Sequence, residues 1–181
     1  GTYTVYYKVA GDANHNNTSA KSISVTIGKA AGNITAPTTK SLTYNGSAQA
    51  LINAGSSSTG TIQYSLDNEI FNTAIPTGTN AGTYTVYYKV IGDNNHNDVV
   101  VNSLTTTISK AASSVKTAPT AKTLTYNGKA QALVNAGVAN YGTMQYSLDN
   151  KTFSATIPTG TNAGTYTVYY KVAGDANHNN T

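Results

Sequence analysis

The feature that most constrains this chain is an internal repeat of about 82 residues. The nonapeptide GTYTVYYKV occurs three times, beginning at Gly1, Gly82 and Gly164. Between Leu42–Asn97 and Leu124–Asn179, only 14 of 56 aligned positions differ. Self-similarity at a fixed period is typical of tandem arrays of one folding unit. The 181 residues therefore comprise about two copies of one repeated unit and are not expected to form a single domain.

The repeat boundaries predict how the chain divides. The strings KAAGN and KAASS, which begin at Lys29 and Lys110, mark equivalent points in successive copies. We therefore expect residues 1–29 to be the last strands of a preceding repeat and residues 30–110 to be a complete repeat. Residues 111–181 then form a repeat that lacks its last strand. The neighbouring repeats are the first expected partners of each unit.

Apolar and polar residues alternate within the repeat, which predicts an all-β fold. Tyr84, Val86, Tyr88 and Val90 share one face of a strand, while the residues between them face the other way. Enrichment in Thr and Tyr fits strand propensity. No segment shows a sustained period of 3.6 residues, so helices should be negligible.

Turn chemistry separates the predicted strands. Asn45-Gly46 and Asn127-Gly128 are Asn-Gly pairs, which tolerate the positive φ angles of a tight hairpin turn. About seven short strands in about 80 residues are typical of an immunoglobulin-like β-sandwich. The sequence thus predicts tandem β-sandwich repeats of about 80 residues, with a small barrel as the alternative.

A tyrosine near the start of the repeated strand supports the sandwich. In Asn80-Ala81-Gly82-Thr83-Tyr84, the tyrosine stands two positions before an inward residue, as in the tyrosine corner of immunoglobulin domains. Tyr166 is its equivalent in the next copy. We expect each hydroxyl to bond backbone at the corner while the ring enters the core, because a buried Tyr needs such a partner.

Composition excludes several classes of function. The absence of cysteine rules out disulfides, thiolate metal sites and a cysteine nucleophile. No apolar run approaches the roughly 20 residues that span a bilayer, so we expect no membrane insertion. The net charge is +4, but all eleven basic residues are Lys and the sign differs between equivalent copies. Nucleic acid is therefore not an expected partner.

The polar turn of each copy contains the candidate metal ligands and the histidines. Asp93, Asn95 and Asn97 offer oxygen atoms at alternate positions, like the first half of a calcium loop. The glycine and glutamate that complete such a loop are absent, so weak calcium binding is the only metal prediction and no other cofactor is expected. His96 and its equivalents are interpreted as exposed turn residues. With no nucleophile motif, the chain is not expected to be an enzyme.

Tyr87 and Tyr169 point away from the predicted core, beside Thr and Lys. Exposed aromatic rings of this kind could stack on a sugar, which makes the two residues a possible ligand surface. The alternative is that they serve only as cross-strand residues on a solvated sheet face.

The motifs together resemble a known family. LTYNGSAQALINAG, YSLDN, IPTGTNAGTYTVYYKV and GDNNHND are similar to the bacterial immunoglobulin-like (MBG-like) repeats of large cell-surface and adhesin-type proteins. The resemblance implies a structural stalk or spacer that projects a functional domain from the cell. It also implies a secreted or surface-anchored bacterial protein, which would meet a host glycan or protein through an adjacent domain.

Two other functions and one assembly state are left open. The repeats themselves could bind host glycans or proteins, or they could be an accessory domain of a secreted polysaccharide-degrading enzyme. The unit at 111–181 should have an open sheet edge, and residues 18–28 form a strand without its own core. We therefore expect strand-swapped self-association at high concentration.

Overall fold

A computed structural model describes all 181 residues, and it consists only of strands, turns and irregular segments. The all-β prediction is therefore confirmed, and the architecture is consistent with a β-sandwich. None of the segments forms a helix long and apolar enough to cross a bilayer. The strands, in chain order, are β1 (Thr2–Tyr7), β2 (Lys21–Thr26), β3 (Thr38–Thr39), β4 (Leu42–Thr43), β5 (Gln49–Ala50), β6 (Ile52–Asn53), β7 (Gly60–Ser65), β8 (Thr77–Gly78), β9 (Gly82–Gly92), β10 (Val99–Ser109), β11 (Ser114–Thr117), β12 (Thr120–Ala121), β13 (Gln131–Ala132), β14 (Val134–Asn135), β15 (Val138–Asn140), β16 (Thr143–Ser147), β17 (Thr159–Gly160) and β18 (Tyr169–Ala173).

The chain divides into two compact units. The segments of the first unit are Gly1–Pro37, Gly55–Ala74 and Tyr87–Asn102. Those of the second unit are Thr38–Ala54, Ile75–Val86 and Ser103–Thr181.

In the first unit, β7 pairs antiparallel with the second half of β9, with Tyr64 opposite Tyr88. Tyr64, Tyr88 and Val90 are buried. The Tyr64 hydroxyl accepts a hydrogen bond from the Gly55 amide at 3.1 Å, so the ring is buried and its polar end is satisfied. Strands β1 and β2 form an antiparallel hairpin of six residue pairs, all of them exposed.

In the second unit, short antiparallel pairs surround an apolar core. The pairs are β3 with β6, β5 with β8, β11 with β15, β12 with β14, β13 with β17 and β16 with β18. Strand β4 pairs in parallel with the end of β10, where Ile108 lies opposite Leu42. The buried apolar residues of this unit are Leu51, Ile52, Val86, Ile108, Val134, Met144, Tyr146 and Val172.

The two corner tyrosines lie in the second unit. The Tyr84 hydroxyl donates to the Asn80 carbonyl at 2.8 Å, and Tyr166 donates to the Asn162 carbonyl at 2.9 Å. The Tyr84 ring is half-buried because it packs against Gly78, where an added Cβ would lie 2.8 Å from the ring. Tyr166 is more exposed than Tyr84. The expected backbone hydrogen bonds are therefore present, but the expectation that the rings enter the core is wrong, since Tyr84 is only half-buried and Tyr166 is 39% exposed.

The Asn-Gly segments are turns, but they are not hairpins. Gly46 and Gly128 have φ angles of 80° and 71°, a region that favours glycine. The Asn45 and Asn127 side chains each accept a hydrogen bond from the amide two residues later, at 3.0 Å. The flanking strands β4 and β5 pair with β10 and β8, not with each other. The hairpin prediction is therefore wrong, because asparagine side chains also stabilise turns between strands that do not pair.

Candidate functional site

The same imidazole–carboxylate pair occurs in the three copies of the polar turn. In each copy the histidine Nδ1 lies 2.7 Å from the Oδ1 atom of the aspartate three residues earlier: Asp12 with His15, Asp93 with His96 and Asp175 with His178. The same Oδ1 atom accepts a hydrogen bond from the backbone amide two residues later, at 2.8 Å. The turn is thus closed by its own aspartate, which also fixes the imidazole.

The hydrogen bonds lower the pKa of each aspartate. For Asp12 and Asp93 the main cause is the backbone amide two residues later, followed by the histidine. For Asp175 the hydrogen bond with His178 is the main cause, and the Asn177 amide follows. Each carboxylate is therefore held in its ionised form, which accepts hydrogen bonds and can orient a neighbouring imidazole.

The three histidines differ in exposure although their turns are nearly identical in sequence. The side chain of His15 is 78% exposed, whereas that of His96 is 29% exposed. His96 forms a parallel β-bridge with Ala30. The Lys29 ammonium donates to the carbonyl oxygens of Asp93 and His96, at 2.9 and 3.3 Å. The segment that contains Lys29 therefore covers one side of this turn, and His15 has no such cover.

His178 is the most enclosed of the three, with 7% of its side chain exposed. Its ring stacks on Tyr141 with centroids 4.2 Å apart and an interplanar angle of 4°. Tyr44 meets the same ring edge-on at 5.2 Å. The interpretation of this histidine as an exposed turn residue is wrong, because Tyr141 stands where the previous copy has Thr59.

The sequence-predicted calcium ligands have other contacts. Asp93 uses Oδ1 for the Asn95 amide and the His96 ring, and Asn95 takes part through its backbone. The Asn97 side chain donates to the Lys29 carbonyl at 3.4 Å. No group of three His, Cys, Asp or Glu residues comes together anywhere in the chain. The structure therefore offers single imidazoles with a supporting carboxylate, and it offers no closed set of ligands.

Tyr87 is half-buried, and Tyr169 is more exposed. On the same two strands, the Lys89 ammonium lies 4.1 Å from the centre of the Phe71 ring, and the Lys171 ammonium lies 4.3 Å from that of Phe153. The lysines therefore lie over phenylalanine rings, and the ligand surface at Tyr87 and Tyr169 stays a prediction.

Sequence reasoning missed the aspartate–histidine pair because it considered the two residues separately. The available signal was their spacing, Asp-x-x-His, in a turn that begins with glycine. An aspartate that caps such a turn directs its carboxylate toward residues two and three positions later.

Comparison with known proteins yields one match. A family model described as the CopC domain matches residues 104–181, which is less than half of the chain. No curated protein and no solved structure is significantly similar to the chain.

The match corrects several expectations. The CopC domain is a copper-binding β-sandwich, and no immunoglobulin-like or adhesin repeat family was found. The assignment to MBG-like repeats, the stalk function with its two alternatives, and a role in cell adhesion are therefore wrong. The expectation of no cofactor beyond weak calcium is also wrong, since this family binds copper. Over residues 104–181, the chain is similar to a CopC domain, a family consistent with a location outside the cytoplasm.

Proposed function

We propose that this chain is a copper-ion-binding β-sandwich protein and not an enzyme. The observation that carries the proposal is the match of residues 104–181 to the CopC domain. We further propose that the protein works outside the cytoplasm, either secreted or at the bacterial cell surface, because CopC domains are periplasmic or secreted.

Each polar turn supplies an imidazole nitrogen that could bind a copper ion. Imidazole nitrogen is a preferred ligand of Cu(II). Metal-binding histidines usually donate their second ring N–H to a carboxylate, which fixes the tautomer and the ring orientation. The 2.7 Å contact between Nδ1 and the aspartate in each turn has this form, and it leaves Nε2 as the ring nitrogen for a metal.

The donor set does not fit a closed copper site. Because no three candidate ligands converge, each turn contributes a single imidazole and leaves the other coordination positions to solvent. We therefore propose that the protein binds copper weakly, as cargo, and that copper is not a structural ion of this fold. Access should follow the exposure of the side chains, so that His15 binds most readily, His96 less readily and His178 least.

We also propose that the finer architecture is a tandem array of immunoglobulin-like β-sandwich repeats. Residues 30–110 would form one repeat, residues 111–181 a second, and residues 1–29 are equivalent to the last strands of a repeat. Recurring contacts support this division. The Tyr146 hydroxyl accepts from the Gly137 amide at 2.9 Å, as Tyr64 does from Gly55.

Titration of the chain with Cu(II), followed by electron paramagnetic resonance, tests the proposed function. We expect nitrogen hyperfine coupling from imidazole, and a large loss of this signal in His15→Ala. Asn14→Ala is the matched control, because Asn14 contributes a backbone amide to the turn and the substitution retains it. Asp12→Asn should weaken binding less than His15→Ala, because it alters only the supporting carboxylate.

A variant with all three histidines replaced by alanine tests whether the imidazoles of the turns bind copper. Copper bound equally well by this variant, or no copper bound by the unmodified chain, would refute the proposed function. Circular dichroism of each variant checks that the all-β fold is retained.

A further inference from the structure

Two exposed turns of the chain contain an asparagine that is followed by glycine. Asn45-Gly46 lies between β4 and β5, and Asn127-Gly128 stands at the equivalent place in the other copy of the repeat. All four residues are exposed. No other asparagine of the chain precedes a glycine. Asparagine is thermolabile because its side-chain amide can be lost by reaction with the backbone nitrogen of the next residue.

The side-chain carbonyl of each asparagine is polarised by a backbone amide. The Ser47 amide donates to Asn45 Oδ1 at 3.0 Å, and the Lys129 amide donates to Asn127 Oδ1 at 3.0 Å. Negative charge develops on this oxygen when Cγ is attacked, and a donor that already points at it stabilises that charge. The ring closed by the hydrogen bond contains both Cγ and the glycine nitrogen, so one turn holds the two reacting atoms.

The glycine nitrogens of these turns are accessible. The Gly46 and Gly128 amides donate to no acceptor in the protein. A Cβ atom added to Gly46 would have a single neighbour, the Tyr44 hydroxyl at 4.0 Å, and Gly128 has the same surroundings beside Tyr126. Glycine has no Cβ of its own to hinder the nitrogen. Both nitrogens are therefore open to solvent base and free to act as nucleophiles.

We propose that Asn45 and Asn127 are sites of spontaneous deamidation in the folded protein. Hydroxide removes the proton of the glycine amide, and the nitrogen attacks Cγ of the preceding asparagine. The new N–Cγ bond forms while the Cγ–Nδ2 bond breaks, and the side-chain nitrogen leaves as ammonia after taking a proton from water. The resulting succinimide is opened by water at either carbonyl, which gives aspartate or isoaspartate. The net reaction consumes one water and releases one ammonia.

The reaction changes the charge of the chain and the length of the turn. Each event adds one negative charge, so the net charge falls from +4 to +2 (4 − 2) when both turns have reacted. Aspartate at position 45 retains the oxygen that accepts from Ser47, and a carboxylate is the stronger acceptor, so this product keeps the turn. Isoaspartate instead places an additional methylene in the backbone between β4 and β5.

Asn72 provides a comparison within the same chain. Its Oδ1 atom accepts a hydrogen bond from the Ala74 amide at 3.0 Å, as in the two Asn-Gly turns. The next residue, however, is Thr73, whose branched side chain crowds the backbone nitrogen. The backbone of Asn72 is also paired with Tyr64 through two hydrogen bonds. We therefore expect Asn72 to remain intact while Asn45 and Asn127 react.

Mass spectrometry of peptides from the incubated 181-residue chain tests the proposal. The mass of each peptide that contains an Asn-Gly pair should rise by about 1 Da, because an amide NH₂ is replaced by a hydroxyl. The rate should rise at least about fivefold between about pH 7 and about pH 9, since hydroxide removes the amide proton. Ion-exchange chromatography should resolve products that lie one and two charges below +4.

A parallel incubation in guanidinium chloride separates a property of the turn from a property of the dipeptide alone. We expect Asn45 and Asn127 to react in the folded chain at least as fast as in the unfolded chain. Reaction in guanidinium chloride only would show that the folded turn protects these residues, and the proposal would be overturned. Equal reaction of Asn72 in the folded chain would also overturn it, because the following glycine would then have no effect.

Two variants at position 45 test the assignment and its consequence. Asn45→Gln should abolish the mass increase in its own peptide, because a longer side chain cannot form the five-membered ring, and Asn127 in the same molecule should react as before. An unchanged mass increase in that peptide would place the reaction at another residue and would refute the assignment. Asn45→Asp is the matched variant that represents one product. Its urea midpoint should equal that of the unmodified chain, and a lower midpoint would contradict the expectation that aspartate keeps the turn.

Discussion

The buried hydroxyl of Thr106 provides a sharp test of the packing described for the second unit. Thr106 lies in β10, is 3% exposed, and its Oγ1 atom has no hydrogen-bond partner. Its backbone is held in the strand next to Ile108, whose side chain is buried. Thr106→Val replaces the hydroxyl by a methyl group of similar size and removes an unsatisfied polar atom from the core.

The expected gain in stability follows from the cost of leaving a polar group without a partner. A buried hydroxyl without a hydrogen bond costs about 1–3 kcal/mol, and valine has at least the strand propensity of threonine. We expect Thr106→Val to raise the free energy of unfolding by about 1–2 kcal/mol. With a urea dependence of about 1–3 kcal/mol per molar, the midpoint should rise by roughly 1 M.

Urea unfolding followed by far-ultraviolet circular dichroism measures this change. Thr105→Val is the matched control, because Thr105 is the adjacent residue of β10 and is exposed. The control should change the free energy of unfolding by less than about 0.5 kcal/mol. A Thr106→Val midpoint equal to or below that of the unmodified chain would show that the hydroxyl is satisfied, and the reasoning would fail.

Two further predictions concern Asp67 and Asp149, which follow strands β7 and β16, and the enclosed ring of His178. The pKa of Asp67 is lowered from 3.8 to about 2, first by the Ser65 hydroxyl and then by backbone amides, and Asp149 shows the same shift. The two carboxylates therefore stabilise the fold above pH 3.8, and this stabilisation is lost as the pH falls toward about 2. In the double variant Asp67→Asn with Asp149→Asn, the urea midpoint should fall less steeply over this acid range than in the unmodified chain. Stacking on Tyr141 should shift the ring-proton NMR signals of His178 upfield of those of His15. The substitution Tyr141→Leu should remove this difference. His178 signals that are the same in Tyr141→Leu and in the unmodified chain would contradict the stacking.

Local patterns predicted the all-β class and several of the strands, although the string GTYTV is a strand at residues 82–86 and not at residues 164–168. The alternation of Tyr84, Val86 and Tyr88 reports one face of a strand, and the structure has a strand over Gly82–Gly92. Positive φ at Gly46 follows from a turn that needs it. Both features depend on residues within a few positions of each other, so the sequence contains the information.

Features that depend on distant residues could not be predicted in this way. The enclosure of His178 requires Tyr141, 37 positions earlier, and nothing in the turn itself distinguishes it from the turn around His15. The hairpin prediction from the Asn-Gly pairs was wrong because β4 pairs with β10, which lies far away in the sequence. A local motif contains no information on that pairing. The function was misread for a related reason, since repeat motifs describe architecture and do not identify what a fold binds.

The unequal exposure of His15, His96 and His178 affects any estimate, made from the sequence, of how many ligands the chain can bind. The motif occurs three times, yet the imidazoles range from open to nearly sealed. Counting motifs therefore overstates how many equivalent sites a ligand will find. The three rings form a graded series within one molecule, so a reagent that modifies histidine should distinguish them by rate alone.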